Sequence, residues 1–142
     1  MPSKEIMHQT IELFHERGGI LRAGEALALG SHPRTLYALR DAGVLEQLGR
    51  GLYRLAELPP LADPDLVTVA LKVPRGVICL VSALAFHELT MQVPHFVDLA
   101  LMRGSESPRL EHPPLRLFWF SGAAWSEGIE THEIDGVQVQ VY

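Results

Sequence analysis

Cysteines and long apolar runs are scarce in this 142-residue sequence. It has only Cys79 and no apolar run of the roughly 18 residues that a membrane helix needs. Cys79 lies in the apolar run of residues 77–86, which favours a buried thiol over a nucleophile or a metal ligand. The opening MPSKEIMHQT lacks the apolar core of a signal peptide. These features predict a cytoplasmic protein without a membrane segment.

Positive charge is also in short supply, because 12 Lys and Arg face 17 Asp and Glu and leave a net charge of −5. At first sight this deficit argues against a nucleic-acid partner. Residues 1–57, however, hold seven basic and seven acidic side chains, whereas residues 58–142 hold five and ten. Salt screens exposed charges beyond about 8–10 Å, so local charge decides phosphate contact. We expect modest, strongly salt-sensitive DNA affinity for a single copy.

Metal-binding and catalytic spacings are missing as well. The seven histidines include His87-Glu88, which lacks the second histidine of a zinc-binding H-E-x-x-H helix. His8 and His15 would lie two helical turns apart, too far to share an ion unaided. Ser82 precedes His87 and Glu88 closely, but no nucleophile elbow or glycine-rich oxyanion loop accompanies them. We therefore expect no catalytic residue, no metal, no cofactor and no enzyme activity.

What the sequence does contain is a predicted helix followed by an arginine-tipped hairpin, in the stretch SHPRTLYALRDAGVLEQLGRGLYRL. Ser31 is predicted to cap the helix, and Pro33 suits its first turn because the N–H that proline lacks would be unpaired there. Gly43 supplies the left-handed residue that ends the helix. Residues 44–47 and 52–55 are predicted strands on either side of the tip.

The preceding residues complete the element order of a winged helix-turn-helix. Residues 3–17 are predicted to form an amphipathic helix, residues 20–22 a short strand that can pair with the hairpin, and residues 23–29 a second helix. The turn before the third helix is about three residues, as the motif requires. The predicted small core consists of Ile11, Phe14, Leu21, Ala26, Leu27, Leu36, Leu39, Leu45, Leu52 and Leu55.

The proline-rich sequence LPPLADP, at residues 58–64, marks the clearest boundary because it cannot continue a strand or a helix. We predict a winged helix-turn-helix DNA-binding domain in residues 1–58, a linker in 59–64 and a small α+β domain in 65–142. The fold class is therefore α+β, with about four strands in the second domain. Its elements are predicted as helices at 64–72 and from about residue 80, and strands at 96–102, 115–120, 129–134 and 137–142.

Eight side chains of the first domain are candidates for DNA contact. A recognition helix presents its N-terminal residues to base edges, where arginine pairs with guanine, and a hairpin tip reaches the minor groove or the backbone. The candidates are Arg22, His32, Arg34, Thr35, Tyr37 and Arg40, with Arg50 at the tip and Arg54 behind it. The alternative is a solvated helix face, with Tyr37 partly packed and Arg40 paired to an acid, beside a tight turn with an exposed charge.

A family resemblance covers nearly the whole chain. GGILRAGEALALGSHPRTLYALRDAGVLEQLGRGLYRL resembles the N-terminal domain of AbiEi-type antitoxins from type IV toxin–antitoxin systems. VPRGVICLVSALAFHELTMQVPHFVDLAL and IETHEIDGVQVQVY are similar to the domain that follows it in such proteins. Similar proteins continue beyond the strand that here ends at Tyr142, so we expect the chain to be either C-terminally truncated or a naturally short homologue.

The resemblance implies a winged-helix repressor that binds inverted repeats upstream of its own operon. It also implies an antitoxin function of the C-terminal region against a nucleotidyltransferase-like toxin, without a stable complex. We accordingly predict a transcriptional autorepressor and antitoxin that acts on paired DNA sites, as a dimer or as two monomers. The alternative is a winged-helix protein-interaction module that does not bind DNA.

Overall fold

The computed structural model describes residues 2–142, which divide into two compact units, one ending at Pro60 and the other beginning at Leu61. Each unit has its own hydrophobic core and its own β-sheet. Among the described residues, no helix combines the length and apolarity needed to cross a membrane. The predicted α+β class is confirmed, because helices and two sheets are present.

The first unit has the element order predicted for a winged helix-turn-helix. Its elements are α1 (Lys4–Glu16), β1 (Ile20–Arg22), α2 (Ala23–Ala28), α3 (Pro33–Asp41), β2 (Leu45–Gly49) and β3 (Leu52–Leu55). The sheet order is β1-β3-β2, with both pairings antiparallel. The short strand β1 therefore pairs with the hairpin of β2 and β3, as expected from the sequence.

Helix α3 begins one residue later than its predicted cap implies. Its N-cap is His32 rather than Ser31, and the His32 Nδ1 atom accepts a hydrogen bond of 3.1 Å from the Arg34 N–H. Because Pro33 has no N–H, that of Arg34 is the first donor available at this helix end. The end of α3 is as predicted, since Gly43 follows it with a φ of +79°.

Most of the predicted core of the first unit is buried, but Ile11 is only partly buried, Leu27 is 41% exposed, and the core also contains Tyr53, which was not predicted. The buried residue of α2 is its neighbour Ala26, at 0% exposure. Successive helical residues point about 100° apart, so a short helix that buries the small Ala26 turns Leu27 toward solvent. Phe14, at 0% exposure, fills the centre of the core.

The second unit packs helices against a five-stranded sheet of order β6-β5-β4-β8-β7. Its elements are α4 (Pro64–Lys72), β4 (Val77–Ile78), α5 (Leu80–Phe86), β5 (Val97–Met102), β6 (Leu115–Phe120), α6 (Gly122–Ser126), β7 (Glu130–Ile134) and β8 (Val137–Val141). The unit has one strand more than the roughly four expected. The additional strand is β4 at the centre of the sheet, whose two residues pair with β5 and whose Ile78 also pairs with β8.

Two local predictions in this unit are confirmed. Asp63 caps α4, and its Oδ1 atom accepts a hydrogen bond of 3.1 Å from the Leu66 N–H. Asp135 and Gly136 form the turn of the β7–β8 hairpin with φ values of +53° and +80°. Positive φ at both positions gives the turn a twist that suits antiparallel strands.

Cys79 is buried, at 1% exposure, and we expect it to resist thiol reagents until the second unit opens. Burial, and next the nearby charge of Asp98, raise the pKa of this thiol to about 12. Because the folded pKa lies above the ordinary value of about 8.5, this contribution to stability is present below pH 8.5 and is lost as pH rises toward 12. Labelling with a colour-forming disulfide at pH 8, with and without denaturant, checks this. Rapid labelling of the native protein would contradict it.

Candidate nucleic-acid interface

Helix α3 buries one face, formed by Thr35, Leu36 and Leu39, each 1% exposed. Thr35 is therefore wrong as a candidate DNA contact, because a side chain packed beneath the helix cannot reach a base edge. At 3.6 residues per turn, Thr35 lies only about 40° from Leu39 around the helix axis. Its position on the helix, rather than its polarity, determines its burial.

The opposite face of α3 presents Arg34 and Tyr37 to solvent. Arg34 is exposed and Tyr37 is 49% exposed. Residues three apart are neighbours on a helix surface, so the guanidinium and the phenol can act on one ligand together. His32, also exposed, is held at the start of the helix by its cap to the Arg34 N–H.

Arg40 links α3 to the hairpin. Its Nε and Nη2 atoms donate to Asp41 Oδ1 at 3.3 and 3.2 Å, and its Nη1 atom donates to Gln47 Oε1 at 3.4 Å. The guanidinium carbon also lies 5.2 Å from the centre of the Tyr37 ring, in cation–π geometry. Arg40 is thus paired to an acid, as the alternative interpretation proposed, while its side chain stays 38% exposed.

Tyr53 lies beneath this cluster at 3% exposure. Burial raises the pKa of its phenol, the nearby Tyr37 adds to the rise, and Arg40 opposes it. Gln47 was not among the predicted residues, because nothing in its neighbourhood in the sequence distinguishes it from any exposed strand residue. It joins the cluster only because β2 lies beside the end of α3 in space.

The hairpin tip carries Arg50, which is exposed. Gly51 follows it with a φ of +70°, a conformation that glycine adopts without strain. The Ala23 N–H donates to the Gly51 carbonyl at 2.8 Å, so the tip is tied to the first residue of α2. Arg50 therefore lies on a turn that a hydrogen bond to α2 holds in place.

Arg54 is wrong as a second contact behind the tip, because it is only 6% exposed. Its Nη1 atom donates to Glu46 Oε1 at 3.2 Å, and its Nη2 atom donates to the Pro59 carbonyl at 2.5 Å. Arg54 belongs to β3, the central strand of the first sheet, all four residues of which are buried. Its charge is paired with that of Glu46 inside the first unit.

Arg22 lies at the end of β1, opposite Leu52 in the sheet, and is half-buried. Its backbone N–H donates to Glu25 Oε1 at 3.3 Å across the start of α2. This contact engages the backbone of Arg22 and not its guanidinium. Arg22 thus remains a candidate with Arg34, Tyr37, Arg40 and Arg50.

A family model described as transcriptional regulator, AbiEi antitoxin, matches residues 8–56. The resemblance to AbiEi antitoxins is confirmed over this segment. The match contains β1, α2, α3 and the whole hairpin, together with most of α1. Comparison with curated proteins gives no match.

The matched segment thus contains every candidate side chain of the interface, whereas residues 57–142 lie outside the match. In the second unit, Ser82 and His87, which the sequence analysis considered as a possible catalytic pair, contact different backbone carbonyls. Ser82 Oγ donates to the Phe96 carbonyl at 3.2 Å, and His87 Nε2 lies 2.8 Å from the Tyr142 carbonyl. Among residues 2–142, no group of three or more His, Cys, Asp or Glu side chains is arranged to hold a metal ion.

Proposed function

We propose that this protein is a DNA-binding transcriptional autorepressor and antitoxin of a type IV toxin–antitoxin system. It would bind inverted repeats in its operator through α3 and the hairpin, which acts as the wing. The observation that carries this proposal is the exposed set of Arg34, Tyr37 and Arg50, displayed within a segment that matches a family of transcriptional regulators.

The chemistry of these side chains suits duplex DNA. Arg34 lies in the first turn of α3, the part of a recognition helix that contacts base edges. An arginine at the tip of a wing can contact the backbone or enter the minor groove. Tyr37 and Arg40 add a phenol and a guanidinium that can donate to phosphate oxygens.

The balance of charge supports binding as a pair. Residues 1–57 carry seven basic and seven acidic side chains, so the general attraction of one copy to DNA is small. Two copies on an inverted repeat double the number of contacts, and each then reads one half-site. Dimerisation or adjacent binding of two monomers would each satisfy this requirement.

Titration of the DNA upstream of the gene tests the proposal. We expect this DNA to bind at least about tenfold more tightly than a shuffled sequence of equal length, and affinity to fall linearly with salt on logarithmic axes. Arg50→Gln should reduce the salt slope by about 1 per copy, because one phosphate contact is lost. Equal affinity for both DNAs, or binding that salt does not weaken, would contradict the proposal.

The second unit would carry the antitoxin function against a nucleotidyltransferase-like toxin. This part of the proposal rests on the resemblance of its sequence and on its acidic balance of five basic to ten acidic residues, which disfavours DNA. We expect the full chain to rescue cells that express a neighbouring nucleotidyltransferase. Residues 2–60 alone, which lack the second unit, should not rescue them.

A protein-interaction module without DNA binding is the second candidate, and the net charge of −5 favours it. Its partner would cover Tyr37 and Arg40, the exposed aromatic and basic pair on α3. Hydrogen exchange with the purified partner, compared with exchange on upstream DNA, separates the two functions. Protection of the α3 amides from exchange by the partner protein, but not by upstream DNA, would favour the interaction module.

A further inference from the structure

The outward face of α3 carries an acidic residue in line with the proposed DNA contacts. Asp41 lies seven residues after Arg34, and Tyr37 and Ala38 lie between them, so the four residues occupy positions i, i+3, i+4 and i+7. This is the spacing with which the homeodomain recognition helix contacts bases in the major groove. Asp41 therefore belongs to the same face as Arg34.

The hydrogen bonds of Asp41 leave half of its carboxylate available. Both bonds from Arg40, at 3.3 and 3.2 Å, end on Oδ1. In the described part of the chain, Oδ2 accepts no hydrogen bond, and the side chain is 71% exposed. Arg40 thus holds the carboxylate through Oδ1 and leaves Oδ2 for another donor.

The position of Asp41 is unfavourable for helix stability. It is the last residue of α3, where the negative end of the helix dipole disfavours an acid. A carboxylate on a DNA-binding face also repels phosphates. Apart from its pairing with Arg40, Asp41 thus offers an exposed acceptor on the face of α3 that is proposed to contact DNA.

We propose that Asp41 is a specificity-determining residue whose Oδ2 atom accepts a hydrogen bond from the N4 amino group of a cytosine in the major groove. Cytosine is the base that presents a donor to aspartate or glutamate there. Arg40 acts as the positioning residue, because it fixes the carboxylate and offsets part of its charge near the phosphates. This inference rests on the proposed function and names one base that the site selects.

Asp41→Asn is the direct test, because asparagine keeps an oxygen for Arg40 and replaces the second oxygen by an amide nitrogen. Each C·G pair in the protected upstream region is replaced singly by T·A, and the affinities of the native protein and the variant are compared. For the native protein we expect one replacement per half-site to weaken binding about tenfold. For the variant, that replacement should change affinity less than about twofold, while shuffled DNA binds severalfold more tightly.

Glu16→Gln provides the matched control, because it removes the same charge from an exposed position at the end of α1. It should leave the discrimination at every C·G pair unchanged. Full discrimination by Asp41→Asn, or an equal loss in Glu16→Gln, would overturn the inference while leaving DNA binding intact. Failure of the native protein to bind upstream DNA would instead overturn the proposed function, and the inference with it.

Discussion

Arg34→Glu should lower the affinity for upstream DNA about a hundredfold or more, since an arginine–guanine pair contributes about 1–3 kcal/mol and the new carboxylate repels phosphates. Arg34 is exposed, and its backbone N–H is fixed by the His32 cap, so the substitution acts on the interface and not on the core. Arg50→Glu should cost about tenfold, because a single backbone contact is replaced by repulsion. Fluorescence anisotropy at two salt concentrations measures both effects.

Arg17→Glu is the control for this pair, because it makes the same charge change at an exposed residue. Arg17 is the C-cap of α1, and the nearby Gly19 carbonyl accepts from Leu55 at the end of the sheet away from the hairpin tip. The variant should bind DNA within about threefold of the native protein, as expected for a screened charge outside the interface. Equal losses in all three variants would mean that net charge, and not α3 or the hairpin, governs binding.

Local chemistry made the segment around α3 predictable from sequence. Pro33 fits only the start of the helix, Gly43 takes the positive φ that ends it, and Gly51 permits the tight hairpin tip. These are backbone preferences of single residues. They can therefore be recognised in the sequence without knowing which residues pack nearby in the fold. The same reasoning located the Asp135-Gly136 turn of the second unit.

The burial of individual side chains was less predictable, because it depends on neighbours that are distant in sequence. Arg54 is buried because its guanidinium contacts Glu46 on β2 and the Pro59 carbonyl, and the sequence of the hairpin does not reveal these contacts. Thr35 is buried because it lies beside Leu36 and Leu39 on the face of α3 that packs into the first core. The two misassigned contacts thus share one cause, which is the placement of polar residues by tertiary packing.

The second unit contains a buried charge that the sequence analysis did not identify. Asp98, on β5, is 0% exposed, although its strand is otherwise apolar up to Met102. Its Oδ1 atom accepts from Arg116 Nε at 2.7 Å, and its Oδ2 atom accepts from Arg116 Nη2 at 3.0 Å and from the Val81 N–H at 3.2 Å. Asp98 therefore joins β5, β6 and the first turn of α5.

Asp98→Ala should destabilise the second unit by about 2–4 kcal/mol, because it removes two charge-assisted hydrogen bonds and the cap of α5. The loss stays below that of a fully buried ion pair, since the Arg116 side chain is 51% exposed and can be hydrated once its partner is gone. Urea denaturation followed by labelling of Cys79 measures the effect in this unit directly. Glu133→Ala, at an exposed site on β7, is the control and should change stability by less than about 0.5 kcal/mol. Labelling midpoints that coincide for the two variants would contradict a stabilising role for Asp98.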